Sequence, residues 1–179
     1  ALKNGCAPAA HKINISCIVN SLPQINIQFG EPDPQGNRPV LLNGEDVSDA
    51  IRQLEVANIV SEVAAIREVR EFLVKQQQTV GRNGGVVMDG RDIGTVVFPH
   101  AELKLFVTAK PEIRAQRRFL ELQAKGETNS LEEILENLKH RDRLDSTRTI
   151  SPLTKASDAL EVDNSEMSET EQLAYVLDL

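Results

Sequence analysis

The chain has little with which to grip a nucleic-acid polymer, cross a membrane or hold a resident metal. Lysine and arginine number 20 against 27 aspartates and glutamates, a formal net charge of −7. That is the opposite of the basic footprint by which proteins hold a phosphate polymer. No apolar run approaches the roughly 20 residues of a membrane-spanning helix, and no signal-peptide pattern is visible. Cys6 and Cys17 are the only cysteines, and His11, His100 and His140 are scattered, so no metal-ligand spacing occurs. Two cysteines in such a composition predict reduced structural thiols and a cytoplasmic rather than a secreted setting.

What is present suits one ordinary domain with a sizeable core: 179 residues, 40% hydrophobic and 26% charged. Apolar spacing from Ala9 to Leu22 predicts an amphipathic helix stopped by Pro23. Ile25, Ile27 and Phe29 alternate as a strand, the run from Glu31 to Asn37 is a turn, and Val40 to Leu42 forms a second strand. Helices are predicted over Ser48 to Arg52, with Ser48 or Asp49 as cap, over Glu55 to Ala65 and over Glu68 to Val80. The remainder alternates. Strands at Val86 to Met88, Leu103 to Thr108 and Ala159 to Val162 are separated by helices at Pro111 to Lys125 and Ser130 to about Leu144, and a last helix begins at Ser168. Strands separated by helices predict a parallel sheet with helices on both faces.

Chemistry concentrates in two places. The run Val86-Val87-Met88-Asp89-Gly90-Arg91-Asp92-Ile93-Gly94-Thr95 passes from an apolar strand into carboxylates, an arginine and glycines. Strand ends of this kind are where open α/β sheets place ligands. Arg91 offers a planar fork for phosphate, while Asp89 and Asp92 suit a metal, a hydroxyl or a donor-rich base edge. Downstream, Arg141, Asp145 and Arg148 fall at i, i+4 and i+7 and stack along one helical face. Together the clusters suit a nucleotide. Taken singly they also read as a strand-end turn and a salt-bridged surface helix.

From Val40 to about Leu177 the chain closely resembles bacterial cytidylate kinases. The resemblance rests on Leu41-Leu42-Asn43-Gly44-Glu45-Asp46-Val47, Glu55-Val56-Ala57-Asn58, Asp89 through Pro99 and Arg141 to Leu153, in the family's order. It implies a P-loop-kinase-like three-layer α/β sandwich over residues 1–179, with an inserted nucleotide-binding subdomain at 25–65 and a lid region at 117–148. The implied reaction moves the γ-phosphate of ATP to CMP or dCMP with Mg²⁺, in a cytoplasmic monomer of pyrimidine nucleotide metabolism.

Carried over by position, Ser61, Arg70 and Asp92 would read the cytosine ring, Arg141 and Asp145 would hold the ribose, and Arg91 and Arg148 the acceptor phosphate. Asp89 resembles a carboxylate that helps hold Mg²⁺ through water, with structural hydrogen bonding to its turn as the alternative. Arg117 or Arg118 would reach the ATP phosphates, unless they form a solvated face with Glu121. Ser61 by pattern alone is a helix-surface serine, Arg70 an exposed residue pairing with Glu71 or Glu62, and Asp145 an i, i+4 partner of Arg141.

One departure from the family is plain: the sequence contains no Gly-x-x-x-x-Gly-Lys-Ser/Thr phosphate loop. Ala1-Leu2-Lys3-Asn4-Gly5 reads as the last turn of a helix and its stop. The expectation is therefore a chain lacking a preceding segment that would hold the first strand and the P-loop, with a tag remnant as the alternative. Two other functional readings stay open: a cytidine-nucleotide-binding module without transfer activity, and an interaction domain that keeps only the fold.

Overall fold

The computed structural model describes residues 1–7 and 13–179. They form two compact units, Ala1–Thr79 and Val80–Leu179.

In the first unit, helix α1 (Ile15–Ser21) is capped by Asn14, whose side chain accepts a hydrogen bond from the Cys17 amide. The predicted start of this helix at Ala9 lies outside the described residues. Three strands follow as an antiparallel meander, β1 (Ile27–Phe29), β2 (Val40–Leu42) and β3 (Glu45–Asp46), with Ile27 opposite Leu42 and Leu42 opposite Glu45. β3 is additional to the predicted strands. It arises because Asn43 and Gly44 both take positive φ, 52° and 85°, the geometry of a two-residue Asn-Gly hairpin. The Asn43 side chain also accepts from the Asn26 amide at 2.7 Å.

The helix expected over Ser48 to Arg52 is only a 3₁₀ turn, Ala50–Arg52, and neither Ser48 nor Asp49 caps it through its side chain. The Ser48 hydroxyl instead accepts from the Val40 amide and donates to Asp46, stitching β2 to the loop after β3. Helices α2 (Leu54–Ala64) and α3 (Arg67–Val80) complete the unit. Its core gathers Cys6, Ile18, Ile66 and Val69, flanked by Leu22, Val63 and Leu73.

Within this core Cys6 and Cys17 form a disulfide, with Cα atoms 5.5 Å apart. That corrects the expectation of two reduced thiols. The Asn14 amide donates to the Cys6 carbonyl at 2.8 Å, so the start of α1 folds back over Cys6 and brings the two residues within bridging range.

The second unit has the predicted α/β order. β4 (Leu105–Thr108) and β5 (Leu160–Asp163) pair in parallel, Leu105 with Leu160 through Thr108 with Asp163. Helices α4 (Pro111–Ala124) and α5 (Leu131–Thr147) lie between them in sequence, and α6 (Glu169–Leu177) follows β5. Pro111 opens α4 at a position where its missing N–H costs nothing. Ser130 with Glu133 and Ser168 with Glu171 form reciprocal capping boxes on α5 and α6. Ala115, Leu122 and Ile134 bury the seam between α4 and α5.

The predicted strand at Val86 to Met88 does not form, and Val87 is fully exposed. An apolar run becomes a strand only where a neighbouring backbone takes its N–H and C=O groups. Among the described residues, none pairs with this one.

Candidate functional site

The last turns of α5 and the loop holding Arg91 build one polar cluster. Asp145, only 3% exposed, accepts from Arg91 Nε at 3.0 Å through one carboxylate oxygen and from Arg148 Nη1 at 3.4 Å through the other. The Arg148 side chain is itself 4% exposed. Its Nε donates to the Ser151 carbonyl at 2.7 Å, and the Leu153 amide returns to the Asp145 carbonyl at 2.7 Å. The chain after α5 therefore wraps back on the helix end. Ser151 adopts a φ of 50° to make that turn, a conformation uncommon in residues with a Cβ.

Arg141 lies one helical turn before Asp145, near enough to feel both Asp145 and Arg91. Burial, with the Arg91 charge beside it, lowers its pKa from the usual arginine value, while Asp145 opposes the shift. Its Nε is buried with no hydrogen-bond partner among the described residues, a donor that calls for an acceptor. Three guanidiniums share the neighbourhood of one buried carboxylate, in a chain of net charge −7. Such a cluster is electrostatically incomplete and suits an added anion.

Asp145 thus serves as more than an i, i+4 partner of Arg141: its carboxylate bonds to Arg91, 54 residues away, and to Arg148. Asp92 follows Arg91 and is buried, 3% exposed. The π-helical turn Ile93–Val97 hangs from its carbonyl, which accepts from the amides of Val96 at 2.9 Å and Val97 at 3.2 Å. Such turns are rare and concentrate at functional sites. Asp89, three residues before Asp92, is exposed.

In the first unit Ser61 on α2 and Arg70 on α3 are both buried. Neither is the surface residue that its local pattern suggests. Arg117 and Arg118 on α4 are engaged within the second unit. Arg117 donates to the Asn164 side chain at 3.0 Å and to the carbonyls of Asn164 and Met167 at 2.7 and 3.1 Å, holding the turn after β5. Arg118 pairs with Glu121 at 2.6 Å.

Three features of this neighbourhood escaped the sequence reading. The Ser151 carbonyl acts through its backbone, which no side-chain pattern reveals. Arg114 donates to Asp142 at 2.7 Å and to the Ala109 carbonyl at 3.0 Å, joining α4 to α5; each is a common charged residue on an amphipathic helix. Lys104 sits buried at the entrance to β4, where alternation with Leu103 and Leu105 gives the look of a surface position.

The family model for cytidylate kinase matches residues 5–179. The chain is 52% identical over 166 residues to the cytidylate kinase of Flavobacterium johnsoniae, covering 93% of this chain and 72% of that protein. It is 53% identical to that of Phocaeicola vulgatus, over 92% of this chain and 72% of the relative. Against the cytidylate kinase of Bacteroides fragilis the identity is 56%, over 86% of this chain and 67% of the relative.

Proposed function

This chain belongs to the cytidylate kinase family, and we propose how its residues divide the work of that family's reaction, transfer of the ATP γ-phosphate to CMP or dCMP. The observation that carries the division is the Arg91–Asp145–Arg148 cluster with the partnerless Nε of Arg141 beside it.

Phosphoryl transfer demands two anions brought together and the charge on the moving group neutralised. Arg91 spends its Nε on Asp145, and its two Nη groups carry four further N–H donors, the fork that a phosphate takes. Arg148 is fixed at Nε and Nη1, so its positive charge stands at a set place and needs little reorganisation when substrate arrives. Asp145 and Arg141 hold the ribose hydroxyls. Asp92, with Ser61 and Arg70, reads the base: a carboxylate accepts from the exocyclic amine of cytosine, which uracil lacks, and a site built on that bond discriminates strongly.

ATP is the phosphoryl donor. Mg²⁺ would be held largely by the nucleotide phosphates, with one carboxylate helping through water. Asp89, exposed beside Arg91, is that carboxylate. Mg²⁺ supplies charge neutralisation on the phosphates when bound. Residues 25–65 act as the nucleotide-binding insert and 117–148 as the lid with its flanking helices. No helix among the described residues is long and apolar enough to cross a membrane; we place the enzyme in the cytoplasm, as a monomer.

Titration of the chain with CMP, dCMP and UMP, read as a rise in melting temperature, tests the acceptor site. A coupled ATP-to-ADP assay on the natural enzyme tests transfer. The expected order is CMP and dCMP well ahead of UMP in both. Equal stabilisation by CMP and UMP would remove base recognition from this assignment.

A further inference from the structure

Asp92 heads the π turn that follows it, and the chain around that turn has an anchor of unusual chemistry. Lys104, just before β4, has a side chain only 6% exposed. Its Nζ donates to the Pro99 carbonyl at 2.5 Å and to Asp158 at 2.6 Å. Pro99 lies two residues beyond the turn. At the turn itself, a Cβ placed on Gly94 would lie 3.3 Å from Lys104 Cδ and 3.5 Å from its Cγ. The lysine stem therefore runs along bare backbone at Gly94. Meanwhile the Lys104 carbonyl accepts from the Leu160 amide at 3.0 Å, fixing its main chain to the β4–β5 pair. One residue thus bears on the sheet, on the middle of the turn and on the chain just past it.

Stability does not explain a lysine there. Burying an ammonium group is expensive, and its carboxylate partner Asp158 is 62% exposed, where solvent weakens the pairing. The Lys104 hydrogen bond does hold the Asp158 carboxyl below the usual carboxylate range. A methionine would fill the same volume with no charge to desolvate. What a methionine lacks is a terminal donor that ties Pro99 while the stem lies against Gly94.

We infer that Lys104 is a positioning residue for Asp92: it clamps the Ile93–Val97 turn against the sheet and thereby sets discrimination between cytosine and uracil. The inference rests on the reading of Asp92 as the base acceptor. A misplacement of about 1 Å in a recognition group can cost roughly 10²-fold, so loss of the clamp falls on the base and leaves the phosphate contacts in place.

The test measures the Kd of CMP and of UMP by calorimetry for the unaltered chain and for Lys104→Met, Gly94→Ala and Asp92→Asn, with melting temperatures alongside. Lys104→Met is expected to reduce the preference for CMP over UMP by about tenfold, with UMP affinity within about twofold. Gly94→Ala, which presses a methyl group against the lysine stem, moves the ratio the same way and decides the matter if the methionine variant does not fold. An unchanged ratio in Asp92→Asn overturns the underlying reading of Asp92. A lowered ratio in Asp92→Asn, with unaltered ratios in Lys104→Met and Gly94→Ala, overturns this inference alone, whatever happens to melting temperature. Equal loss of CMP and UMP affinity in Lys104→Met also overturns it, because that is the signature of a general structural role.

Discussion

Arg91 and Asp145 meet at 3.0 Å from opposite ends of the second unit's main crossover, one in the loop before β4 and the other near the end of α5. The bond spans 54 residues of sequence that include β4 and the α4–α5 hairpin. The carboxylate is nearly buried and the guanidinium 40% exposed. The pair thus has one fixed half and one half open to an arriving anion.

Asp145→Asn keeps the shape and removes the charge that holds both arginines. Breaking a buried pair costs roughly 3–5 kcal/mol, and the exposure of Arg91 lowers this toward about 1–3 kcal/mol. The urea midpoint should fall accordingly and CMP affinity should drop by at least about tenfold. A variant with both values unaltered would show that Asp145 organises neither arginine.

Arg148→Ala and Arg117→Ala should separate by substrate. Arg148 is locked to Asp145 and Ser151, so its loss should weaken CMP binding and lower kcat. Arg117 holds the Asn164–Met167 turn, and its loss should act through ATP while leaving the Kd for CMP unaltered. Steady-state kinetics with each substrate varied would decide; matching effects on both substrates from each variant would end this division.

Ser151 bends the chain so that its carbonyl meets Arg148, at a φ of 50°. Glycine takes that conformation without penalty and valine resists it. Ser151→Gly should leave CMP affinity and melting temperature within error or slightly raised. Ser151→Val should weaken CMP binding several-fold, because the strained turn costs about 1–3 kcal/mol to hold. Identical affinities for the two variants would show that the turn does not set Arg148.

Local signals in the sequence were faithful where one short segment decides its own structure. The capping boxes at Ser130 and Ser168, the proline at the head of α4, and the i, i+4 placement of Arg141 and Asp145 on α5 follow from spacing, whereas Arg148, expected on the same helical face, is the extended residue that ends the helix. Features made by distant partners were not legible. The apolar Val86–Met88 run promises a strand and has no ladder partner among the described residues. The Cys6–Cys17 bond depends on a backbone contact from Asn14. Lys104 looks like surface until Pro99 and Asp158 close over it. At the site, residue types and helical face were readable, whereas the Arg91–Asp145 bond and the Ser151 carbonyl required the fold.

Reduction of Cys6–Cys17 should lower the melting temperature of the chain. The bridge closes a segment with a sequence separation of 11, and a loop of this order is worth on the order of 2–3 kcal/mol through the unfolded state. Scans with and without dithiothreitol measure the difference, with Cys17→Ser as a variant that should ignore the reductant. Coincident curves for the unaltered chain in both conditions would refute the bridge.

Acid should unfold the second unit partly through its helix caps. Hydrogen bonds from the Ser130 and Ser168 amides and hydroxyls hold the carboxyls of Glu133 and Glu171 below their usual 4.5. A lowered folded-state pKa stabilises above the unfolded value, and that stability disappears as pH falls from about 4.5 through the lowered value. The urea midpoint should therefore be flat between about pH 7 and 5 from these groups, then decline. Glu133→Gln with Glu171→Gln should start lower at neutral pH and decline less on acidification. A parallel decline in the double variant would assign the acid limb to other carboxylates.

Helix α5 is also a ruler. Its 17 residues make a rod of about 25 Å, pinned by the Ser130–Glu133 box at one end and closed by the Arg148–Ser151 turn at the other. The loop that leads into the box follows Gly126, in the proposed lid, while the far end carries Asp145 and is followed by Arg148. A continuous rod has no joint in which to absorb a push along its axis. A shift of the loop that keeps the box intact would therefore be carried along the rod toward Arg148, the guanidinium proposed for the acceptor phosphate, so the length of a single helix would set the spacing between the two proposed ends of the site.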